Sequence, residues 1–367
     1  MTKSCSIFWM TLILVFASVA CGSTTNIPAA TTSETPLSAS EPATVTAATP
    51  VPQPEASPVA SPAATEQGTR NTQTVSTPSG LRVIYIREGN LWSWTEANGN
   101  AQLTGTGNVS TARLSSDGQS LAFMRGREVW TVRMDGTDAR LLVTQAEEGG
   151  ALWFSPNGVL LAISTTDHID MVDLSASVST TVASYPALSQ AYYPEVVWSP
   201  DAIGFKTVIP PQAESGQAEL LFVFTDGTAA SLAKFALVPL TESFPFLSPD
   251  GGYVIYAAKV SDGKESLYLM DSSGATRPYG EPADRVRTYG WLPDSQHFVY
   301  AQKGPTQTFL GDVAGPPTEI DLGSYQTIRW MDAERFLAIQ DGNLYLGDMS
   351  GAKTLIDAGV TDFDFEK

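Results

Sequence analysis

Residues 247–256 read Leu-Ser-Pro-Asp-Gly-Gly-Tyr-Val-Ile-Tyr, a tight-turn sequence followed by strand-forming residues. Proline at the first central position of a turn presets φ, and glycine after it accepts a positive φ. The aromatic and β-branched residues from Tyr253 to Tyr256 favour a β-strand. The stretch therefore predicts a hairpin whose first strand ends at Leu247 and whose second strand begins near Tyr253.

The same strand–turn–strand unit recurs along the chain from Leu81 to the end. The first strand of each unit ends in an aromatic residue or leucine, at Leu114, Phe154, Trp198, Leu247, Trp291, Trp330 and Phe365. Successive positions are 40, 44, 49, 44, 39 and 35 residues apart, which is the repeat length of propeller blades. A third strand and a more polar fourth strand follow in each unit, which favours a propeller over a sandwich.

The two ends of the repeat region complete one blade. Residues 83–104 predict a second, third and fourth strand with no first strand before them, and residues 360–366 predict a first strand alone. The sequence therefore predicts an all-β, seven-bladed β-propeller with four-stranded antiparallel blades. Pairing of the C-terminal strand with the N-terminal strands would close the ring and leave only short, protected sheet edges.

The Ser-Pro-Asp-Gly turns, followed by Tyr-Val-Ile-Tyr or Leu-Ala-Phe and then an Asp-Gly or Ser-Gly turn, resemble the WD-like repeats of bacterial TolB-type propellers. The resemblance covers residues 81–367 and implies the fold. In TolB a globular domain precedes the propeller, whereas here the preceding residues read as a tether. The role of TolB in the envelope is therefore not carried over to this chain.

Composition narrows the class of function. The 367 residues include 21 Lys and Arg against 39 Asp and Glu, a net charge of −18. Nucleic-acid binding needs basic stripes and an electrostatic membrane grip needs polybasic segments, so neither is expected. Two cysteines and two histidines argue against a zinc or histidine metal centre. We expect no cofactor, no metal and a monomeric protein.

The first twenty residues predict an export signal. Lys3 precedes an apolar run of 13 residues from Ile7 to Val19, and small residues lead into Cys21. This pattern resembles a bacterial lipoprotein box, which implies cleavage before Cys21 and lipidation of its thiol. Ordinary secretory cleavage after Ala20 also fits the small residues there.

Residues 21–80 are rich in Thr, Pro, Ala and Ser and almost devoid of aromatic residues. Such a segment cannot bury enough apolar surface to fold, so it predicts a disordered tether. The propeller would then be anchored through the lipid on Cys21 to the outer face of the cytoplasmic membrane, or would lie in the periplasm if the host has an outer membrane.

Catalytic motifs are not evident. No G-x-S-x-G nucleophile elbow occurs, and His168 and His297 fall at strand starts far apart in the repeat order. We therefore expect a non-catalytic module that binds an envelope protein, peptide or glycan. The alternative is an extracytoplasmic hydrolase or lyase with its site at the channel mouth, which a cluster of convergent acids, His or Arg there would favour.

Two groups of residues are candidate sites. Long loops around the third and fourth blades predict a docking face for a partner, unless these side chains fold back on their own blade; they carry Tyr185, Tyr192, Tyr193, Pro210, Pro211 and Phe235. Strand alternation predicts a second group facing the channel from the residue before each terminal aromatic or leucine: Arg113, Trp153, Val197, Phe246, Gly290, Arg329 and Asp364.

Three of these channel positions are charged and lie on adjacent first strands where the chain ends meet. Asp364 would sit between Arg329 and Arg113. The three side chains would form either an electrostatic latch that closes the ring or an anion-binding spot at the channel mouth.

Overall fold

A computed structural model describes residues 75–188, 192–211, 216–237, 244–260, 263–302, 307–323 and 325–366. The predicted signal, Cys21 and the predicted tether up to residue 74 lie outside the described residues. In the described part of the chain, no helix is long and apolar enough to span a membrane.

Twenty-eight strands form seven four-stranded sheets, and each sheet is one blade. Blade 1 contains β28 (Val360–Glu366), β1 (Arg82–Arg87), β2 (Asn90–Thr95) and β3 (Gly99–Gln102). Blade 2 contains β4 (Val109–Leu114), β5 (Ser120–Arg125), β6 (Glu128–Arg133) and β7 (Arg140–Val143). Blade 3 contains β8 (Ala151–Phe154), β9 (Leu160–Ser164), β10 (His168–Asp173) and β11 (Val178–Ser184).

The remaining blades follow the same order from the inner strand outward. Blade 4 contains β12 (Val197–Trp198), β13 (Gly204–Ile209), β14 (Ala218–Phe224) and β15 (Ala229–Phe235). Blade 5 contains β16 (Phe246–Leu247), β17 (Tyr253–Lys259), β18 (Glu265–Asp271) and β19 (Thr276–Ala283). Blade 6 contains β20 (Val286–Trp291), β21 (His297–Gln302), β22 (Gln307–Asp312) and β23 (Thr318–Ile320). Blade 7 contains β24 (Thr327–Trp330), β25 (Arg335–Gln340), β26 (Asn343–Asp348) and β27 (Lys353–Ala358).

The ring closes within blade 1, where the last strand of the chain pairs with the first. β28 runs antiparallel to β1, with Val83 opposite Phe365 and Ile84 opposite Asp364. The predicted fold class, an all-β propeller of seven four-stranded antiparallel blades closed by the C-terminal strand, is confirmed.

The recurring Ser-x-Asp turns are fixed by side-chain hydrogen bonds. In blade 5, the hydroxyl of Ser248 donates to Oδ1 of Asp250 at 2.6 Å and accepts from the backbone N–H of Tyr253 at 2.9 Å. Ser115 makes the equivalent contacts in blade 2. A serine at this position therefore satisfies backbone groups that the tight turn would leave unpaired, which explains why the motif recurs.

Neighbouring blades pack through apolar faces and are linked near the axis by tryptophans. The indole N–H of Trp198 donates to the carbonyl of Trp153 at 3.2 Å, and that of Trp291 donates to the carbonyl of Phe246 at 3.0 Å. Each bond joins the inner strands of adjacent blades. These contacts fix the spacing of the strands that line the channel.

Candidate functional site

A central cavity with a volume of about 810 Å³ lies among the inner strands of the propeller. Inner strands or the residues beside them contribute to its wall from blades 1 and 3 to 7. A volume of this size is typical of small-molecule and cofactor sites. The cavity is therefore the place where convergent side chains would act on a ligand.

Five of the seven predicted channel-facing positions line this cavity, and two do not. The five are Trp153, Phe246, Gly290, Arg329 and Asp364. Arg113 reaches the same region through an ion pair with Asp362. Alternation along the inner strands therefore orients most of these side chains as the sequence indicates.

The wall where blades 7, 1 and 2 meet is charged, and we call Arg113, Arg329, Asp362 and Asp364 the charged arc. Arg329 Nη1 lies 2.8 Å from Asp364 Oδ1, and its Nη2 lies 3.6 Å from Asp362 Oδ1. Arg113 Nη1 lies 2.8 Å from Asp362 Oδ2. Asp364 Oδ2 also accepts the backbone N–H of Leu114 at 2.9 Å. Asp362 therefore bridges the two arginines.

The charged arc is balanced and partly buried. Its four side chains are 14–28% exposed. Burial lowers the pKa of Arg113, but attraction by Asp362 and Asp364 outweighs it, so the pKa is raised. Burial and repulsion from Arg113 lower the pKa of Arg329, against the opposing attraction of both aspartates. Two guanidinium groups and two carboxylates form ion pairs across blades 7, 1 and 2, as the latch hypothesis expects, and Arg113 Nε is left without a hydrogen-bond partner among the described residues.

The opposite wall, contributed by blades 3 to 6, is rich in aromatic side chains. We call Trp153, Phe244, Phe246, Tyr289 and Trp291 the aromatic arc. Phe244 is 38% exposed, a large fraction for a phenylalanine. Its ring stacks on Tyr192 with centroids 5.5 Å apart. The arc therefore gives the cavity an aromatic lining, in which Tyr192 holds the ring of Phe244 in place.

Glu195 lies among these aromatic side chains and lines the same cavity. Its Oε2 accepts the backbone N–H of Leu247 at 3.0 Å, a bond that joins blades 4 and 5. Burial raises the pKa of Glu195 to about 7, with smaller opposing effects from that hydrogen bond and from Arg329. A carboxyl with this pKa exchanges protons readily near neutral pH, as acid–base groups do.

Arg287 is the cation of the aromatic arc. It lines the cavity, and its guanidinium lies 4.9 Å from the ring centroid of Tyr289. The described residues place no carboxylate within ion-pair distance of it. A register shift between Thr288 and Gly290, with Gly290 at φ +114°, interrupts the alternation of β20. Consecutive residues of β20 therefore line the cavity.

Three residues of the predicted docking face, two aromatic residues and one proline, are buried and not exposed, so the alternative in which these side chains fold back applies to them. Tyr192 is 7% exposed and Phe235 is 4% exposed, and Pro210 is also buried. Tyr192 packs behind Phe244, and Phe235 packs on Tyr256 with centroids 4.4 Å apart. These loops fold back on the propeller because their large apolar groups are more stable when buried.

The other three docking residues are half-buried. The hydroxyl of Tyr185 donates to the carbonyl of Thr165 at 2.8 Å, and that of Tyr193 donates to the carbonyl of Glu148 at 3.4 Å. Pro211 is the third half-buried residue of this group. Their contact with a partner stays a prediction.

The two histidines lie at strand starts, each beside two aspartates. His168 contacts Asp167 and Asp170, and His297 contacts Asp294 and Asp312. In the described residues, no group of three His, Cys, Asp or Glu side chains is placed to hold a metal ion.

Glu195 and Phe244 were not predicted as site residues although a signal was present. Each lies two residues before a predicted channel position, namely Val197 and Phe246. Residues two apart on a strand share a face, so extending the predicted face by one step would have included both.

No protein-family model matches this chain. No curated protein matches it in sequence. Among solved structures, oligogalacturonate lyase from Vibrio parahaemolyticus is similar, with 14% identity, a TM-score of 0.54 and coverage of 76% of this chain and 85% of the lyase. A functionally unknown protein from Desulfotomaculum acetoxidans has 9% identity and a TM-score of 0.54 over 77% of this chain and 98% of its own.

TolB from Acinetobacter baumannii is also similar, with 14% identity and a TM-score of 0.43 over 77% of this chain and 66% of its own. The two likenesses with a TM-score of 0.54 show a shared fold. The chain itself is a seven-bladed propeller, and no family model or sequence relative establishes membership of the TolB family.

The prediction of a non-catalytic protein is wrong. It was drawn from the propeller fold and from the lack of catalytic motifs. The oligogalacturonate lyase is an enzyme with a similar propeller, so neither this fold nor the lack of a hydrolase motif excludes catalysis. The cavity also holds convergent acidic and basic side chains, which is the feature that the sequence analysis named as favouring the enzymatic alternative.

Proposed function

We propose that this protein is a cell-envelope propeller that binds a glycan in its central cavity. The observation that carries the proposal is the aromatic arc, which faces a cavity of about 810 Å³ together with Glu195 and Arg287. Sugar rings present C–H groups on their faces and hydroxyls at their edges. Aromatic faces have negative electrostatic potential and pack against such C–H groups, while a few polar side chains fix the orientation.

The side chains behind the arc support a preformed site. Tyr192 is buried against Phe244, and the indole N–H of Trp291 donates a hydrogen bond to the carbonyl of Phe246. A ligand that enters would therefore lose little affinity to ordering these side chains. This favours a small ring-shaped ligand in the cavity over a protein that docks on the half-buried loop tyrosines.

The experiment is a binding screen of the purified propeller against envelope glycans and their oligosaccharides, by calorimetry. Trp153→Ala and Phe246→Ala should each weaken binding of the selected glycan about tenfold or more, because each removes one packing surface. Phe224→Ala is the matched control, since Phe224 is 36% exposed on β14 and does not line the cavity. Equal affinity of all three variants and the wild type would refute a glycan site in the cavity.

A second candidate function is acid–base catalysis on the same glycan, which the position and pKa of Glu195 favour. A general acid or base works best when its pKa lies near the operating pH, and burial raises the pKa of Glu195 to about 7. In this candidate, Glu195 transfers a proton to or from the bound sugar, as in a hydrolase or a lyase. Release of shortened oligosaccharides by the wild type, abolished in Glu195→Gln with binding retained, would support it; no turnover of any bound glycan would refute it.

The cellular location is part of the proposal and depends on Cys21. The apolar run that ends before Cys21 supports lipidation and retention at the membrane. Cys21→Ser should release the protein from the membrane fraction or leave it as uncleaved precursor. Labelling by a palmitate analogue that persists in this variant would refute the anchor and leave the glycan site untouched.

A further inference from the structure

We infer that the glycan is acidic and that Arg287 binds its carboxylate. The inference rests on the proposed function and adds the chemical class of the ligand. The side chains of the charged arc form ion pairs within the protein, whereas Arg287 forms none in the described residues. The inference follows from this difference.

The arginines of the charged arc are occupied by the protein itself. Arg329 forms an ion pair with Asp364, and Arg113 forms one with Asp362, each with an N–O distance of 2.8 Å. Asp362 also lies 3.6 Å from Arg329. A ligand carboxylate that entered here would compete with carboxylates that the fold already holds in place, so this side of the cavity is a poor site for an anion.

Arg287 is in the opposite situation. It lines the cavity on the aromatic side, and no ion pair in the described residues involves it. Its guanidinium is placed over Tyr289, a contact that orients the planar group without using its hydrogen-bond donors. A guanidinium with free donors matches a carboxylate in a bidentate geometry.

The surroundings of Arg287 strengthen the argument. The chain carries a net charge of −18, so an anion gains nothing from the overall field and must be recognised at short range. Glu195 lines the same cavity, and burial raises its pKa to about 7, which leaves it readily protonated at neutral pH. A protonated carboxyl can donate a hydrogen bond to an acidic sugar instead of repelling it.

The test compares two ligands that differ only in charge, an oligogalacturonate and its methyl ester. Wild-type protein should bind the acid at least tenfold more tightly than the ester, by calorimetry at fixed ionic strength. Arg287→Gln should remove that preference, lowering affinity for the acid about tenfold or more while leaving affinity for the ester unchanged, because a charge-assisted bidentate contact is lost.

Arg277→Gln is the matched control. Arg277 also lies over a tyrosine two residues further along its strand, 5.5 Å from the ring centroid of Tyr279, but it is on the outer strand β19 and does not line the cavity. This variant should bind both ligands as the wild type does.

The outcomes separate this inference from the proposed function. Equal binding of acid and ester by the wild type, unchanged in Arg287→Gln, would overturn the acidic-ligand inference and keep the glycan site. Equal loss of affinity in Arg287→Gln and Arg277→Gln would assign the effect to the overall charge and would also overturn it. Binding of neither ligand, nor of any other glycan, would overturn both proposals.

Discussion

Two carboxyl side chains make the same backbone contact on opposite sides of the channel, yet their surroundings differ. Asp364 accepts the N–H of Leu114, and Glu195 accepts the N–H of Leu247, so each links the inner strands of neighbouring blades. Asp364 also has Arg329 at 2.8 Å, whereas Glu195 has no ion pair within the described residues and its pKa rises to about 7. The same kind of backbone contact therefore belongs to an ion-paired carboxylate on the charged arc and to a titratable carboxyl group on the aromatic arc.

The difference shows how a propeller can divide its channel wall. The ring closes where β28 pairs with β1, and the charged arc adds ion pairs between the blades at this join. Away from the join, the inner strands and the residues beside them are free to carry residues that are less favourable for stability, such as exposed Phe244 and half-buried Glu195. Functional sites commonly tolerate such features because the rest of the fold supports them.

Removal of β28 should destabilise the protein more than any of the substitutions below. Deletion of residues 360–367 takes away the strand that pairs with β1 and two of the four members of the charged arc. We expect aggregation or loss of a cooperative thermal transition, because a long unpaired edge is exposed and the ring opens. Gel filtration and calorimetry would check this. An unchanged melting temperature would show that closure does not depend on β28.

Asp364→Asn removes one charge of the arc and keeps its shape. We expect a loss of about 3 kcal/mol in the free energy of unfolding, because Arg329 is left partly buried with an incomplete partner set. Denaturant titration would measure it. The control is Lys234→Gln, which breaks the exposed contact with Glu219 at 3.6 Å; we expect its midpoint to stay unchanged. Equal effects in both variants would remove the distinction between the charged arc and the surface.

Glu195→Gln is the corresponding amide substitution on the aromatic arc, and we expect the opposite effect. The pKa of Glu195 is raised from 4.5 to about 7 in the folded protein. Stability from the protonated form is therefore fully present below pH 4.5 and is lost as the pH rises through about 7. Glutamine does not ionise, so this variant should be more stable than the wild type at pH 8, by about 3 kcal/mol, and equal to it near pH 4. Stability curves that run parallel across this range would contradict the raised pKa.

Phe244→Ala should change the stability of the protein less than the other test variants do. Phe244 is 38% exposed, so its truncation should cost about 1 kcal/mol of folding free energy or less, far below the cost for a buried phenylalanine. Affinity for the glycan should fall about tenfold, because a ring face of the cavity is lost. Calorimetry of binding and of unfolding on the same sample would separate the two effects. A large loss of stability with unchanged affinity would place Phe244 in the core.

The sequence predicted the architecture well because the decisive signals are local. Each Ser-Pro-Asp turn and the strand after it can be recognised within about ten residues, and the spacing between turns then determines the number of blades. The incomplete units at 83–104 and 360–366 predicted closure between β1 and β28. These inferences need no knowledge of side-chain packing.

The site was only partly predictable. Alternation along a strand orients Arg329 and Asp364 towards the channel, but the bulge at Gly290 brings in Arg287, and one-residue irregularities are invisible to a period-two pattern. The burial of Tyr192 against Phe244 depends on contacts between blades 4 and 5, which sequence spacing does not specify. The raised pKa of Glu195 likewise arises from burial by several blades at once.

Closure by the last strand also has a consequence for synthesis. Thr361 of β28 follows Ile86 of β1 by 275 positions in the chain. At the usual rate of about 5–20 residues per second, the ribosome produces the partner of β1 on the order of 15–55 s after β1 itself. During synthesis, β1 therefore emerges with one unsatisfied edge before nearly all of the remaining polypeptide has been made. A folding helper that recognises open strand edges would have its greatest effect on this protein before synthesis ends, not after.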